Sequence, residues 1–287
     1  MADTTYYVSK STDNGYGLGN DSTGDGTKAT PYLTIEKATD VAHAVAGDHT
    51  IIINDGVYVD TEVSTNRYII IGASPTMTSV TVRPENAGSV TIIPGVTTAA
   101  IRFNNTTGWG GKSYTFQDLI IGQNTAVSGG EDADYLLWLQ SASMASVMNI
   151  TCTRCTFYNG TVYNVNIINA ALVDLTFTDC VYDGSRVESR SFLFSGASGA
   201  ASNLTIDGLT ATHTNHVNNG SGMIKWDAGA ANVTADIQNV TATMGISPTD
   251  TTSDGLCYGI FVANCDNALV NNCNIAISQT ASGATWS

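Results

Sequence analysis

The chain has 287 residues, 43% of them hydrophobic and only 13% charged, with 28 Gly and 5 Pro. One or two ordinary domains fit that length, with ample apolar material for a continuous core. Eleven Lys plus Arg stand against 25 Asp plus Glu, a net charge of -14, and such a surface repels nucleic acid phosphates and anionic membranes, which argues against both as partners.

No run of about twenty apolar residues occurs, so no helical membrane span is expected. Abundant Thr, Asn, Gly and Val point to β-structure with many tight turns. The opening Met-Ala-Asp-Thr-Thr-Tyr-Tyr-Val lacks a basic stretch followed by an apolar one, so it is not read as a secretory signal. A first strand is expected from Tyr6 to Val8, then a lead-in rich in Gly, Asp, Asn and Ser up to residue 30. Ile35, Ala38, Val41, Ala42 and Val45 recur at helical spacing and Gly47 ends the run, which predicts one helix after Pro31. Thr34 with Lys37 makes no capping box, so the sequence marks the helix body better than its start. Gly47 to Tyr58 then reads as a buried strand with a turn at Asp55-Gly56.

Gly26-Thr27, Pro31, Thr34-Ile35, Ala38, Ala42, Gly47-Asp48 and Ile51 to Tyr58 resemble the N-terminal cap and first rung of right-handed parallel β-helix proteins, the pectin-lyase-like superfamily. That superfamily includes polysaccharide lyases, glycoside hydrolases and bacteriophage tail spikes, and its short amphipathic helix covers one end of the stack. The resemblance implies an all-β, single-domain right-handed parallel β-helix with a short N-terminal capping helix. Residues 1–58 would form the cap and first strand, continuous with the rungs over 59–287. Likeness at the level of fold supports shape far better than activity.

The remaining chain carries the rungs. Arg67 to Gly72, Ser79 to Val82, Ser89 to Ile93 and Ala99 to Phe103 read as strands of about two early rungs. Six later segments lie on top of one another, beginning at Phe116, Cys152, Phe177, Ile206, Ile237 and Val270. Their fourth positions are Leu119, Cys155, Cys180, Leu209, Val240 and Cys273, at steps of 36, 25, 29, 31 and 33 residues. Such spacing predicts stacked units that bury an apolar row against their neighbours while the loops vary in length. A second apolar strand precedes each ladder strand, as in Tyr135-Leu-Leu-Trp-Leu and Met223-Ile-Lys-Trp. At least three of the six Cys fall on the ladder and read as core thiols rather than a disulfide framework.

Candidate chemistry is sparse. The resemblance implies an elongated acidic polysaccharide along one face, with Lys or Arg, sometimes aided by Ca²⁺, abstracting a proton and holding a uronate carboxylate. Arg186, Glu188 and Arg190 share one loop, Lys225 follows a rung later, and His213 and His216 fall in the loop between them. If the rungs stack, these could gather; otherwise the two Arg solubilise a loop and Lys225 faces outward between inward Ile224 and Trp226. Asp132 with Asp134, and Asp250 with Asp254, read as solvated turn residues rather than a hydrolase pair. Asp13, Asp21 and Asp25 in the lead-in could hold Ca²⁺, though not with the spacing of a known calcium loop. Cys152-x-x-Cys155 has metal-site spacing, but residues three apart on a strand face opposite sides. His213-x-x-His216 lacks further ligands nearby, and Gly108 to Ser113 lacks the first Gly of a phosphate loop. Tyr158, Tyr163, Tyr182, Trp109 and Trp286 offer aromatic surface that core packing equally explains.

A parallel stack has two ends with unpaired backbone groups. The helix serves one, whereas the last ladder strand finishes near Ile277 and Ser278 to Ser287 make a poor cover. Truncation, a plug by Trp286 or another subunit are the alternatives. No signal, an acidic inert surface and an uncovered end favour part of an assembly: a non-catalytic structural or binding solenoid on a bacteriophage virion, as a decoration protein or tail fibre or spike component, made in the host cytoplasm. Its partners would be other virion proteins or itself, with surface polysaccharide a further possibility and no cofactor. The alternatives are a lyase or hydrolase acting on acidic polysaccharide, and a glycan-binding adhesin outside the cell.

Overall fold

The computed structural model describes residues 3–59, 67–71, 76–93, 99–104, 110–122, 135–140, 147–158, 163–168, 173–184, 194–196, 203–216, 222–227, 234–246 and 258–279. Within them the protein is all-β with one α-helix, and every strand pairing is parallel.

Three sheets divide the strands. The first has nine, starting with Thr4–Val8 and Asp48–Ile53 and ending with Thr234–Gln238 and Asn267–Asn271. The second has seven, from Arg67–Ile71 to Tyr258–Ala263, and the third eight, from Gly56–Val59 to Asn274–Gln279. From Asp48 onward the chain visits the first sheet, then the third, then the second, and repeats the circuit. Each circuit adds one parallel strand to every sheet, an arrangement consistent with a parallel β-solenoid. One apolar cluster runs through the stack from Tyr6 to Ala242.

The ladder read from sequence is the true register of the first sheet. Phe116 pairs with Cys152, Cys152 with Phe177, Phe177 with Ile206, Ile206 with Ile237, and Ile237 with Val270. Strand alternation makes this possible, because a slip of one residue would turn the apolar row to solvent. Upstream the column continues through Val82 and Ile51.

What the ladder did not reveal is the corner between its first and fourth positions. Asp118, Arg154, Asp179, Asn239 and Asn272 all adopt left-handed backbone with φ between 50° and 57°, and Gly208 takes φ 80° at the same place. Asn, Asp and Gly tolerate that conformation best, which explains the recurring polar third position. Arg154 is the exception in type, and its guanidinium is held by Asp118 through two hydrogen bonds of 2.7 and 2.9 Å. Backbone bonds continue from circuit to circuit through the bend: Arg154 N–H donates to the Thr178 carbonyl at 2.8 Å, and Val181 N–H to the Cys155 carbonyl at 2.9 Å. The left-handed residue therefore turns the chain without interrupting the pairing.

The helix Ile35–Ala44 packs against Thr4–Val8, Asp48–Ile53 and Arg67–Ile71, the first strands of two sheets. Its start is better defined than the missing capping box suggested. Thr34 Oγ1 accepts from Lys37 N–H at 3.2 Å, and the Asp21 carboxylate accepts from Leu33 N–H, Thr34 N–H and the Thr34 hydroxyl at 2.7, 3.0 and 2.7 Å. A side chain thirteen residues upstream thus does the work expected of a local Glu.

Candidate functional surface

A threonine stands directly before the first four ladder segments, and the column continues upstream. Thr5, Thr50, Thr81, Thr115, Thr151, Thr176 and Thr205 occupy consecutive strands of the first sheet and pair in unbroken register. Their neighbours Tyr6, Ile51, Val82, Phe116, Cys152, Phe177 and Ile206 are buried, so the threonines line the outer face, each of them at least partly exposed. Strands about 4.8 Å apart space the hydroxyls regularly along the stack, and β-branched neighbours stiffen the row. Asp236 and then Leu269 continue the column and end the regularity.

A second polar column flanks the first. Ser79 Oγ donates to Asp48 at 2.7 Å, Asn203 Nδ2 to Asp174 at 2.6 Å, and the Thr234 hydroxyl to Asn203 Oδ1 at 3.0 Å. On the corner side, Asn239 Nδ2 donates to Asp207 and Asn272 Nδ2 to Asn239, both at 2.6 Å. These bonds tie several neighbouring circuits to one another through their polar side chains. Such a face offers evenly spaced hydroxyl and amide groups for binding.

The sequence candidates fall elsewhere. Lys225 lies in Gly222–Asp227, between buried Ile224 and Trp226, and its strand neighbours are Ser195 and Phe261. Arg186, Glu188 and Arg190 lie outside the described residues, so their grouping with Lys225 does too. Asp132, Asp134, Asp250, Asp254, Trp109 and Trp286 are likewise outside them. His213 and His216 are not in a loop: both belong to the strand Thr210–His216, where His213 pairs with Gly184 and Met244. Tyr182 is core, whereas Tyr158 is only half-buried.

The lead-in carboxylates serve the chain itself. Asp21 holds the helix start as described, and Asp25 accepts from Thr27 N–H at 2.9 Å and from the Thr30 hydroxyl, which lowers its pKa to about 2. Asp13 opens a short 3₁₀ turn and lends its carbonyl to Asn54 at 3.3 Å. Among the described residues no group of three or more His, Cys, Asp or Glu stands where it could hold a metal ion.

The thiols need a correction. Cys152 and Cys155 do not face opposite sides: both are buried in the one apolar core. Alternation fails because the left-handed Arg154 between them swings the chain through the corner. Cys155 Sγ lies 3.4 Å from the Phe116 carbonyl and Cys180 Sγ 3.4 Å from the Cys152 carbonyl, so each thiol reaches back one circuit. Burial pushes the Cys180 thiol up to about 12 and keeps it protonated. These are packing thiols; Cys273, on the last circuit, is only partly buried.

The threonine column was open to sequence reading, since extending the ladder by one residue upstream exposes it. Beginning each segment at its apolar member hid it. The chain matches no protein-family model, and neither the curated proteins nor the solved structures give a significant match.

Proposed function

We propose that the chain is a single-domain right-handed parallel β-solenoid that works as a non-catalytic structural or binding element on a bacteriophage virion surface. The observation that carries this reading is the threonine column: seven hydroxyls in register on one outer face. Repetition of that kind suits a body built to be long, regular and adhesive along its side. Catalysis instead asks for unlike groups converging on one point. The charge of -14 and the resemblance of the cap to β-helix proteins, tail spikes among them, support the particle setting.

An antibody raised against the purified chain tests this on virions of the phage that encodes it. Regularly placed label on intact virions, seen by electron microscopy, is the expected result. Virions that lack the chain by both labelling and mass spectrometry would overturn the setting.

A further inference from the structure

We infer that residues 16–32 are a strap that keeps a strand-addition site closed, and that this site takes the same strand of a second copy once the strap lifts. Thr4–Val8 is the outermost strand of the first sheet, and among the described residues Asp48–Ile53 is its one strand partner. The lead-in covers its other edge. Tyr7 N–H donates to the Gly26 carbonyl, Tyr32 N–H to the Tyr7 carbonyl and Ser9 N–H to the Tyr32 carbonyl, all at 2.9 Å. Val8 and Tyr32 thereby form an isolated parallel bridge. The strap thus occupies the backbone donors and acceptors that an added strand would use.

The strap is lightly fastened. Of its residues only Tyr16, Gly19, Gly26, Pro31 and Tyr32 are buried, and Leu18 is 67% exposed. Glu85, just past Ser79–Pro84, holds it down by accepting from the Lys28 ammonium at 2.7 Å and the Tyr16 hydroxyl at 2.9 Å. The turns within it close on the exposed side chains of Asn20 and Asp25. Little apolar burial and exposed hydrogen bonds mark a segment that opens while the rest stays folded. The strand beneath selects the occupant. Thr4–Val8 reads Thr-Thr-Tyr-Tyr-Val, β-branched and aromatic throughout, and uncharged in a chain of net charge -14. Asp3 precedes it and Lys10 follows it. Two copies paired antiparallel bring the acidic end of each strand to the basic end of the other, and a two-fold axis makes both matches at once. Parallel pairing would set like charges together.

Sedimentation equilibrium and amide hydrogen exchange on the full chain test this. A side chain at Gly19 would run into the carbonyl oxygens of Ser9 and Tyr32, so Gly19→Val wedges the strap off the edge. It is expected to tighten self-association at least about tenfold over the wild type, because a closed population no longer lowers the apparent affinity. Adding Tyr7→Pro, which removes an edge-facing N–H where an edge strand tolerates proline, should cancel that gain. Lys28→Met, at a part-exposed contact, should give a smaller gain of the same kind, and it decides the matter if circular dichroism shows Gly19→Val unfolded. In the wild type the Tyr7 and Ser9 amides are expected to exchange at least about tenfold faster than those of Ile51 and Val82 in the same sheet. Folded variants that associate no more tightly than the wild type, a gain that Tyr7→Pro leaves intact, or equal protection of all four amides would overturn the inference. The virion reading would stand in each case, because labelling of virions does not depend on the strap.

Discussion

Asn54→Leu is expected to destabilise the fold by about 3–5 kcal/mol, read as a lower denaturant midpoint at unchanged slope. Asn54 sits at the first corner and is 0% exposed. Its Oδ1 accepts from Asn14 Nδ2 at 2.8 Å and from Asp55 N–H at 2.9 Å. Its Nδ2 donates to the hydroxyls of Ser9 and Ser11, at 3.0 and 3.2 Å, and to the Asp13 carbonyl. Its backbone joins Val8 on one side and the Tyr58 hydroxyl on the other, at 2.9 and 3.0 Å. One amide thus ties the first strand, the lead-in turn and the first full circuit together. Leucine keeps the volume and strands every partner, several of them buried, and unsatisfied buried groups cost more than the bonds themselves return. A loss below about 1 kcal/mol would show that the lead-in is fastened by other means.

The second large effect is a loss of stability on mild acidification. His43, in the last turn of the helix, has its pKa pushed down to about 4, first by burial and then by the nearby His49. Its Nε2 hydrogen-bonds the Tyr114 hydroxyl inside the stack. Because the folded value lies below that of the unfolded chain, acid favours the unfolded state. Stability is full above about pH 6.5 and falls as the pH drops toward about 4, by roughly 2–3 kcal/mol in all. Asp40 acts with the opposite sign, since burial raises its pKa and the folded form gains protons first. Asp55, Glu85 and Asp118 are all held below the usual carboxylate range, by hydrogen bonds from Ser89, Lys28 and Arg154 first of all. Their contributions disappear only below about pH 4, so the window above it belongs mainly to His43. Thermal melts of wild type and His43→Gln across that window check this. The wild type should lose several degrees that the variant keeps, and parallel slopes would contradict the assignment.

Much of the stack could be read from apolar periodicity alone. Phe116, Cys152, Phe177, Ile206, Ile237 and Val270 are a true column because parallel stacking forces like residues to lie on like. The left-handed corner stayed hidden, as it depends on φ at a single polar residue and not on any period. That omission misled the reading of Cys152 and Cys155, where strand alternation was carried across a bend. Asn54 was invisible for a different reason. Asn-Asp-Gly looks like an exposed turn, and nothing local announces that Ser9, Ser11 and Asn14 will close over it. Asp21 and Asp25, which the sequence offers as Ca²⁺ candidates, accept from backbone and hydroxyl donors close to home, contacts that no local pattern announces.

As proposed, the protein is a body that binds or supports without cutting. Incubating the purified chain with alginate, pectate and bacterial capsule polysaccharides, with and without Ca²⁺, tests it most directly. Unsaturated-uronate absorbance and new reducing ends are the two readouts. Neither is expected above a blank. Either signal, abolished by Lys225→Ala in a variant of unchanged circular dichroism, would contradict it and make the chain a polysaccharide-cleaving enzyme.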